Sequence, residues 1–599
     1  MNRVVFVNAL HIKNEENNRY LPLGTLSIAT VLKNNNYDVH IIDFNMLYQT
    51  NQIKESSFEE PKLETMCNLI LELKPSIVGF YTMCNSYHNS VILSKYIKEK
   101  NNDIKIMFGG PHASLTAEKS LEAFPWIDCI GIGEGEDTIV DIVEALLKEK
   151  DFNLLKGVAY RKNGEVICNN EPNLISNLDE LPLIDYTLVN LDKSGDYAPI
   201  EVGRGCPFSC IYCSTKSFWK RKFRLKSIDR IFKEIYYLKD NFNKTKFDFI
   251  HDTFTVRKSM ILEFCERAIR EKLDIKWGCS TRLDLLDENL ICKMKEAGCA
   301  SIFLGIETGS PRMQKKTNKN LDLSNVYKTI DILMKYKMKV RASFIYGFPD
   351  ETIDDVKLTL EMMRVLTERG IEETQIHLCT ILPGTEIYNK TKDSLKATDA
   401  YSDLGDSARI SEASDLIQSY PEIFPHFYDF DSELRVQLKY LDRFVDFYIA
   451  FMRKFLPTVY KVLMNYYHND LLALFFDFRN KIPDFANTYY SNEYFITKNN
   501  PIDSSYMTLL RIGEFIRKMD FSSQVKDLLC DLYEFELQIF RYMFVDKEKN
   551  EKHATYNHDV YKVRALGFNE NENYNIPVSL KFYRAETGNL KIKRDNNIR

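Results

Sequence analysis

Cys206, Cys210 and Cys213 stand in the segment Gly203-Arg-Gly-Cys-Pro-Phe-Ser-Cys-Ile-Tyr-Cys-Ser214, at a C-x3-C-x2-C spacing. Thiolates are the usual ligands of iron–sulfur clusters, and cysteines this close let one loop wrap a cubane. Three ligands satisfy three irons of a [4Fe–4S] cluster and leave one iron open to a small molecule. A structural zinc site is the competing use of such cysteines. Zinc wants a fourth Cys or His close by, and the next histidine along the chain is His251. The spacing therefore predicts Cys206, Cys210 and Cys213 as cluster ligands.

Charged residues and glycines also stand at the ends of several later apolar runs. They are Asp252 in Phe249–Lys258, Arg282 in Trp277–Asp284, Glu307 in Ala297–Ser310 and Gly347 in Phe344–Thr352, followed by Leu382–Tyr388. A guanidinium grips carboxylates with a planar fork, and a glycine lets backbone approach a ligand closely. Singly, each has a plainer reading: Asp252 as a helix N-cap, Arg282 or Glu307 in a surface ion pair. Near the start, small residues punctuate Pro22–Leu26, Val78–Thr82, Gly109-Gly110-Pro111-His112 and Gly133-Glu134-Gly135-Glu136.

Positioning these groups calls for parallel strands. In residues 1–150, apolar strands at Arg3–Asn8, Asp38–Asp43, Ser76–Tyr81, Ile104–Phe108 and Ile127–Ile132 alternate with helical patterns at Leu23–Asn34, Leu63–Leu73, Asn89–Glu99 and Asp137–Lys148. Continuous apolar strands spaced by helices indicate a parallel sheet covered on both faces. The expected fold is α/β, beginning with a doubly wound, Rossmann-like domain whose glycine loops lie at the ligand-binding edge. Residues 151–195 hold a hairpin over Gly157–Ile167, turning at Asn163-Gly164, and a connector at Asn177–Tyr186. Over 196–395, strands at Ile200–Gly203, Phe247–His251, Lys276–Ser280, Ser301–Gly305, Lys339–Ile345 and Glu373–Thr380 predict a partial, open (βα)6 barrel. Its chemistry would sit at the C-terminal strand ends. Residues 396–599 are helical in pattern at Leu434–Phe455, Thr458–Phe478, Tyr506–Asp520 and Ser522–Phe544, which predicts an all-helical domain. Its aromatic stripes read as packing core, and the domain is expected to cap the barrel and select the substrate.

With these blocks in this order, residues 1–390 resemble the radical S-adenosylmethionine (SAM) enzymes that carry an N-terminal cobalamin-binding domain. The resemblance implies a [4Fe–4S] cluster, SAM chelating its open iron, and cleavage of SAM to a 5′-deoxyadenosyl radical. It implies Tyr212 beside the adenine, Asp252 toward the SAM amino end, Arg282 as partner of the SAM carboxylate, Glu307 at its ribose or amino group, and Gly347 against the adenine. Around cobalamin it implies Leu23, Gly24, Thr82, Gly109, Gly110, His112, Gly133, Glu134 and Gly135. One departure is clear. Cobalamin mutases and methionine synthase supply a cobalt ligand from Asp-x-His-x-x-Gly, whereas Asp43-Phe44-Asn45-Met46-Leu47-Tyr48 occupies a similar place without His or Gly. The implied activity is methylation of an unactivated carbon of a small-molecule or peptide natural product. The same domain order also serves cyclisation, rearrangement and cross-linking without methyl transfer. Either chemistry implies an electron donor such as flavodoxin or ferredoxin. A degenerate scaffold would show a broken cluster loop, and this loop is intact.

Bulk properties narrow the setting. Net charge is −5, with 80 basic against 85 acidic residues, which is not the strong basicity of a nucleic-acid binder. The basic stretch Lys591–Arg599 reads as a solvated tail. No apolar run reaches membrane-spanning length, and Met1–Leu10 reads as a strand rather than a signal peptide. Thirteen scattered cysteines suit a reducing cytoplasm. Cys67, Cys84 and Cys129 are too dispersed for the second cluster of a tRNA methylthiotransferase. Cys279, Cys299 and Cys379 read as small buried hydrophobes.

Overall fold

The computed structural model describes residues 2–11, 21–53, 62–170, 174–191, 197–398, 402, 404–405, 407, 412–486, 501–545, 552–566, 574, 576–584 and 590–594. Near the start, β1 (Arg3–Asn8), β2 (Asp38–Asp43), β3 (Ile77–Tyr81), β4 (Lys105–Gly109) and β5 (Cys129–Gly131) pair in parallel. Val4, Val5 and Val7 of β1 have no exposed surface because helices cover both faces of the sheet. The hairpin β6 (Val158–Lys162) and β7 (Glu165–Cys168) extends the same sheet antiparallel, in the order β2-β1-β3-β4-β5-β6-β7. Its turn places Asn163 at φ +53° and Gly164 at φ +86°, the left-handed pair a two-residue hairpin loop prefers.

Next come β8 (Ala198–Glu201) and the short antiparallel pair β9 (Gly203–Arg204) and β10 (Arg224–Leu225). They are followed by β11 (Lys246–Ile250), β12 (Lys276–Thr281), β13 (Cys299–Glu307), β14 (Lys339–Tyr346) and β15 (Glu373–Leu378). The six long strands form one parallel sheet, β15-β14-β13-β12-β11-β8, in sequence order and without closure. Trp277 anchors its helix-covered face, stacking on Phe249 at 4.9 Å with Phe254 and Phe264 edge-on. The indole N–H donates to Ala297 O at 2.9 Å, so this buried ring leaves no donor unsatisfied.

Two compact units result, Met1–Asp355 with Val365–Gln437, and Val356–Arg364 with Leu438–Arg599. The first holds both parallel sheets and a small pair, β16 (Leu395–Ala397) with β17 (Tyr428–Phe430); its Ala413, Ile417, Phe424 and Phe427 pack into the core of the N-terminal sheet domain. The second is helical at Pro457–Tyr466, Leu471–Lys481, Pro501–Lys518 and Ser523–Phe540, around the buried rings of Phe444, Phe475, Phe478 and Phe515. It is not all helical. β18 (Lys552–Tyr556), β19 (Val578–Arg584) and β20 (Leu590–Arg594) form a three-stranded antiparallel sheet. Alternation in Val-Ser-Leu-Lys-Phe-Tyr-Arg buries Leu580 and Phe582, a short period-2 signal that the longer helical stripes mask. Lys591–Arg594 is thus paired strand, with Arg594 on Asp559 at 2.5 Å, and residues 595–599 of the expected tail lie outside the described residues. Among the described residues no helix is long and apolar enough to cross a membrane.

Candidate active site

The β9–β10 pair clasps the base of the cysteine loop. Gly205 follows at φ +88°, and a Cβ there would lie 2.0 Å from Lys222 O, so only glycine fits. Distant segments pin the loop. Asp252 Oδ2 accepts from Gly205 N at 3.1 Å, Asn318 Nδ2 donates to Ser209 O and Oγ at 3.0 and 2.8 Å, and Ile211 N donates to Thr317 O at 3.0 Å. Cys210 is buried, while Cys206 and Cys213 are half-buried. Among the described residues no group of three or more His, Cys, Asp or Glu side chains is placed to hold a metal ion.

The predicted polar residues Asp252, Arg282 and Glu307 converge here from the ends of three strands, β11, β12 and β13. Arg282 closes β12 and is 5% exposed. Its Nε and Nη2 bind Asp284 at 3.0 and 2.8 Å, Nη2 also reaches Lys319 O at 2.9 Å, and the guanidinium lies 4.0 Å from the Phe208 ring centroid. Nη1 is buried with no partner. An orphaned cationic donor beside the cysteine loop is costly unless an anion completes it, which fits a SAM carboxylate. Glu307 ends β13 at φ +72°, beyond a register shift, and pairs with Lys319 Nζ at 3.0 Å. A bulky residue in that conformation is strained, here held by the ion pair. Asp252 is spent partly on the Gly205 amide. The Tyr212 ring is 5.6 Å from Phe348 and packs with Met313, Cys379 and Ile387.

Gly347 donates to Glu351 Oε2 at 2.5 Å and its carbonyl accepts from Arg435 Nη1 at 2.8 Å. Burial pushes the Glu351 carboxyl up to about 8, against the pull of the Gly347 and Phe348 amides, and its Oε1 has no partner. The unfolded chain loses this proton near the ordinary glutamate range while the folded chain keeps it until about pH 8, so native stability falls as pH rises across that interval. Glu351→Gln is expected to flatten this decline, as read by denaturant unfolding from pH 5 to 8.5; equal slopes for both proteins would refute it.

The opposite wall belongs to the first sheet. A cavity of about 690 Å³ is lined by Leu23, Gly24, Gly110, His112, Gly133, Glu134 and Gly135 on that side, and by Ser214, Phe218 and Trp219 on the cysteine-loop side. Beneath it a narrow slot of about 60 Å³ is edged by Gly79, Gly109, Gly131 and Gly135. A Cβ on Gly109 or Gly131 would meet nothing nearer than 4.0 or 3.7 Å, so side chains there would fill the slot. Such a bare, mostly apolar cradle fits a flat macrocycle. Thr82 does not face it: this fully buried residue donates to Gly109 O at 2.8 Å and accepts from Ala113 N at 3.2 Å. His112 lines the wall but its Nε2 is bound to Ile423 O at 2.9 Å, and burial holds its pKa down at about 3. Asp43 also lines the cavity and caps the helix Phe44–Gln49 through Asn45 N and Met46 N.

Glu134 joins the two walls. Arg204 binds Glu134 at 2.7 Å, Glu136 at 2.6 Å and Glu201 at 2.9 Å, and Arg224 binds Glu134 at 2.6 Å. Burial raises the Glu136 carboxyl, but Arg204 outweighs it and leaves Glu136 below the usual range. Sequence reading gave no role to Arg204, Lys319, Arg435 or Tyr81, the last of which borders both the cavity and the slot. Arg204, between two loop glycines, and Tyr81, within Val78–Thr82, nevertheless stood in segments the sequence singled out. Cys265, Cys279 and Cys299 neighbour one another, and burial pushes the Cys265 thiol up to about 12 and raises that of Cys299.

The sequence profile of the Radical SAM superfamily matches residues 200–363, and that of the B12 binding domain matches residues 14–143. An uncharacterised methyltransferase of Pyrococcus horikoshii is 31% identical over 373 residues, 61% of this chain and 77% of that protein. The anaerobic magnesium-protoporphyrin IX monomethyl ester cyclase of Rubrivivax gelatinosus is 29% identical over 357 residues, 57% of this chain and 62% of that protein, so the chain spans less than two thirds of it. The structure of OxsB, a cobalamin-dependent SAM radical enzyme with aqua-cobalamin and SAM bound, superposes with a TM-score of 0.58 over 91% of this chain and 84% of that one at 15% identity, which shows a shared fold. The cysteine loop, the glycine-edged cradle and these matches lead to one assignment: the chain belongs to the radical SAM enzymes with an N-terminal B12-binding domain, whose cofactors are a [4Fe–4S] cluster, SAM and cobalamin.

Proposed function

We propose that this enzyme methylates an unactivated carbon of a small-molecule or peptide substrate. The observation that carries the reading is the single cavity whose walls come from Gly24, Gly110 and Gly133 on one side and from Ser214, Phe218 and Trp219 of the cysteine-loop segment on the other. The space before the glycine loops thereby reaches Ser214, the residue after Cys213, although the three cysteines, Tyr212, Asp252, Arg282, Glu307 and Gly347 are not among its lining residues. When bound, the cofactors supply reductive cleavage of SAM, hydrogen abstraction from carbon and a transferable methyl group. The chain's own part is to hold and exclude. Cys206, Cys210 and Cys213 would anchor the cluster, and Arg282 would grip the SAM carboxylate with its open Nη1. The Glu307–Lys319 pair would face the polar end of SAM, while Tyr212 and Phe348 provide an apolar wall for its adenine. Leu21, Leu23, Leu115 and Leu382 line the cavity and keep water from a reactive radical. The thirteen free thiols suit a reducing cytoplasm.

The methyltransferase relative supports methyl transfer; the cyclase relative supports a second reading, radical cyclisation or rearrangement without it. Anaerobic purification from cobalamin-fed cells, followed by corrinoid, iron and sulfide assays and incubation with SAM and dithionite, separates them. The expected result is near-stoichiometric corrinoid, about four irons, and S-adenosylhomocysteine formed alongside 5′-deoxyadenosine. Corrinoid with 5′-deoxyadenosine alone would favour the second reading, and protein without corrinoid would sink methyl transfer.

A further inference from the structure

The segment from Cys213 to β10 is dense in cations: Lys216, Lys220, Arg221, Lys222 and Arg224. Lys216 pairs with Glu386 at 2.5 Å near the surface, and Arg224 pairs with buried Glu134 at 2.6 Å. Lys220, Arg221 and Lys222 are exposed at a tip. Lys222 N donates to Trp219 O at 3.0 Å across a tight turn whose central residues, Lys220 and Arg221, lie at φ +54° and +59°. Two successive left-handed residues suit Asn-Gly; two long cations there are strained. The underside of the turn rests on the cysteine loop. A Cβ on Gly205, the residue before Cys206, would lie 2.0 Å from Lys222 O and 3.2 Å from Trp219 Cβ. Arg257, also exposed, adds a cation beside the tip, 5.8 Å from the Phe223 ring centroid.

We propose that Lys220, Arg221, Lys222 and Arg257 form the docking surface for an acidic one-electron carrier protein that reduces the cluster. The proposal rests on the cysteine loop holding a [4Fe–4S] cluster. One electron leaves the reduced flavin or iron–sulfur group of the carrier and enters the cluster, and no proton or group crosses the interface. The chain carries a net charge of −5, so an acidic carrier is repelled by the molecule as a whole and drawn to a local positive tip. Such a contrast orients encounter and raises its rate in a salt-dependent way. Contact between the tip and the residue preceding Cys206 makes this a short route from surface to cluster.

The test uses the full, anaerobically reconstituted protein and a bacterial flavodoxin as probe. Lys220→Asn with Arg221→Gly removes two charges while supplying the residues the turn prefers, so the thermal midpoint should hold or rise. The Kd for flavodoxin by calorimetry is expected to weaken about three- to tenfold at low salt, and the difference should shrink as salt screens the surface. Cluster reduction by flavodoxin hydroquinone, followed by absorbance, should slow in parallel, whereas dithionite-driven 5′-deoxyadenosine formation should stay within about twofold, because a small reductant needs no docking surface. A control carrying Lys335→Gln and Lys339→Gln, which removes the same two charges at the opposite end of the strands, should bind as wild type. Unchanged affinity in the turn variant, or an equal loss in the control, would overturn the docking surface. A wild-type protein that cleaves no SAM even with dithionite would instead overturn the cluster reading beneath it.

Discussion

Arg204→Met is expected to cost about 3–5 kcal/mol of folding stability, the usual consequence of removing one partner from a buried ion pair. The substitution would leave Glu134 and Glu136, whose side chains are 6% exposed or less, facing each other without the guanidinium that binds both. Arg224 pairs with Glu134, whereas Glu136 is held by Arg204 and by the Ser27 hydroxyl, so Arg224 does not replace the lost guanidinium at Glu136. Arg204→Lys should restore only part of the loss, because an ammonium cannot present the planar fork that spans three carboxylates. Urea unfolding of the apoprotein measures this without any cofactor. Adding Glu136→Gln to Arg204→Met should recover stability by relieving one buried charge. A loss below about 1 kcal/mol, typical of exposed pairs, would show the network to be dispensable. The consequence for function is positional: Arg204 lies two residues before Cys206, so the same contact that fixes the loop at Gly133–Glu136 fixes the start of the cysteine loop.

Arg282→Met is expected to weaken SAM binding by about 10- to 100-fold, the range of a charge-assisted hydrogen bond worth roughly 1.5–3 kcal/mol. The side chain is held from three directions, by Asp284, Lys319 O and the face of Phe208. Only Nη1 is left open. Equilibrium SAM binding to reconstituted protein, with iron content as a control, reads the effect. Iron should be unchanged, since Arg282 is not among the proposed cluster ligands. An unchanged SAM affinity would mean that Nη1 serves another group, and the Glu307–Lys319 pair would become the next candidate for the polar end of SAM.

The candidate cluster loop was legible in the chain because its chemistry is local: the three cysteines lie within eight residues on one loop. Strands β1 to β5 and the six barrel strands were equally legible, since buried parallel strands write continuous apolar runs into the sequence. Glu307 and Arg282 could be named as candidates, but not their surroundings. Lys319, which holds Glu307, and Arg435, which reaches Gly347 and Cys379 across 88 and 56 residues, belong to segments with no chemical signature of their own. Glu134 illustrates the same limit. Its glycine-flanked position marks a binding loop, yet its partners are Arg204 and Arg224, 70 and 90 residues away. Likewise Thr82 looked like a cavity residue until the fold turned its hydroxyl onto Gly109 and Ala113. The sheet at β18–β20 escaped because a period-2 pattern of a few residues carries little signal beside long aromatic helical stripes. What the sequence alone determined, then, is the two parallel sheets and the candidate cluster loop, because both follow from short-range spacing. Only the tertiary structure decided which charges meet, which thiols are spent on packing, and that one cavity is shared between the glycine cradle and the cysteine loop, because those depend on side chains brought together from distant parts of the chain.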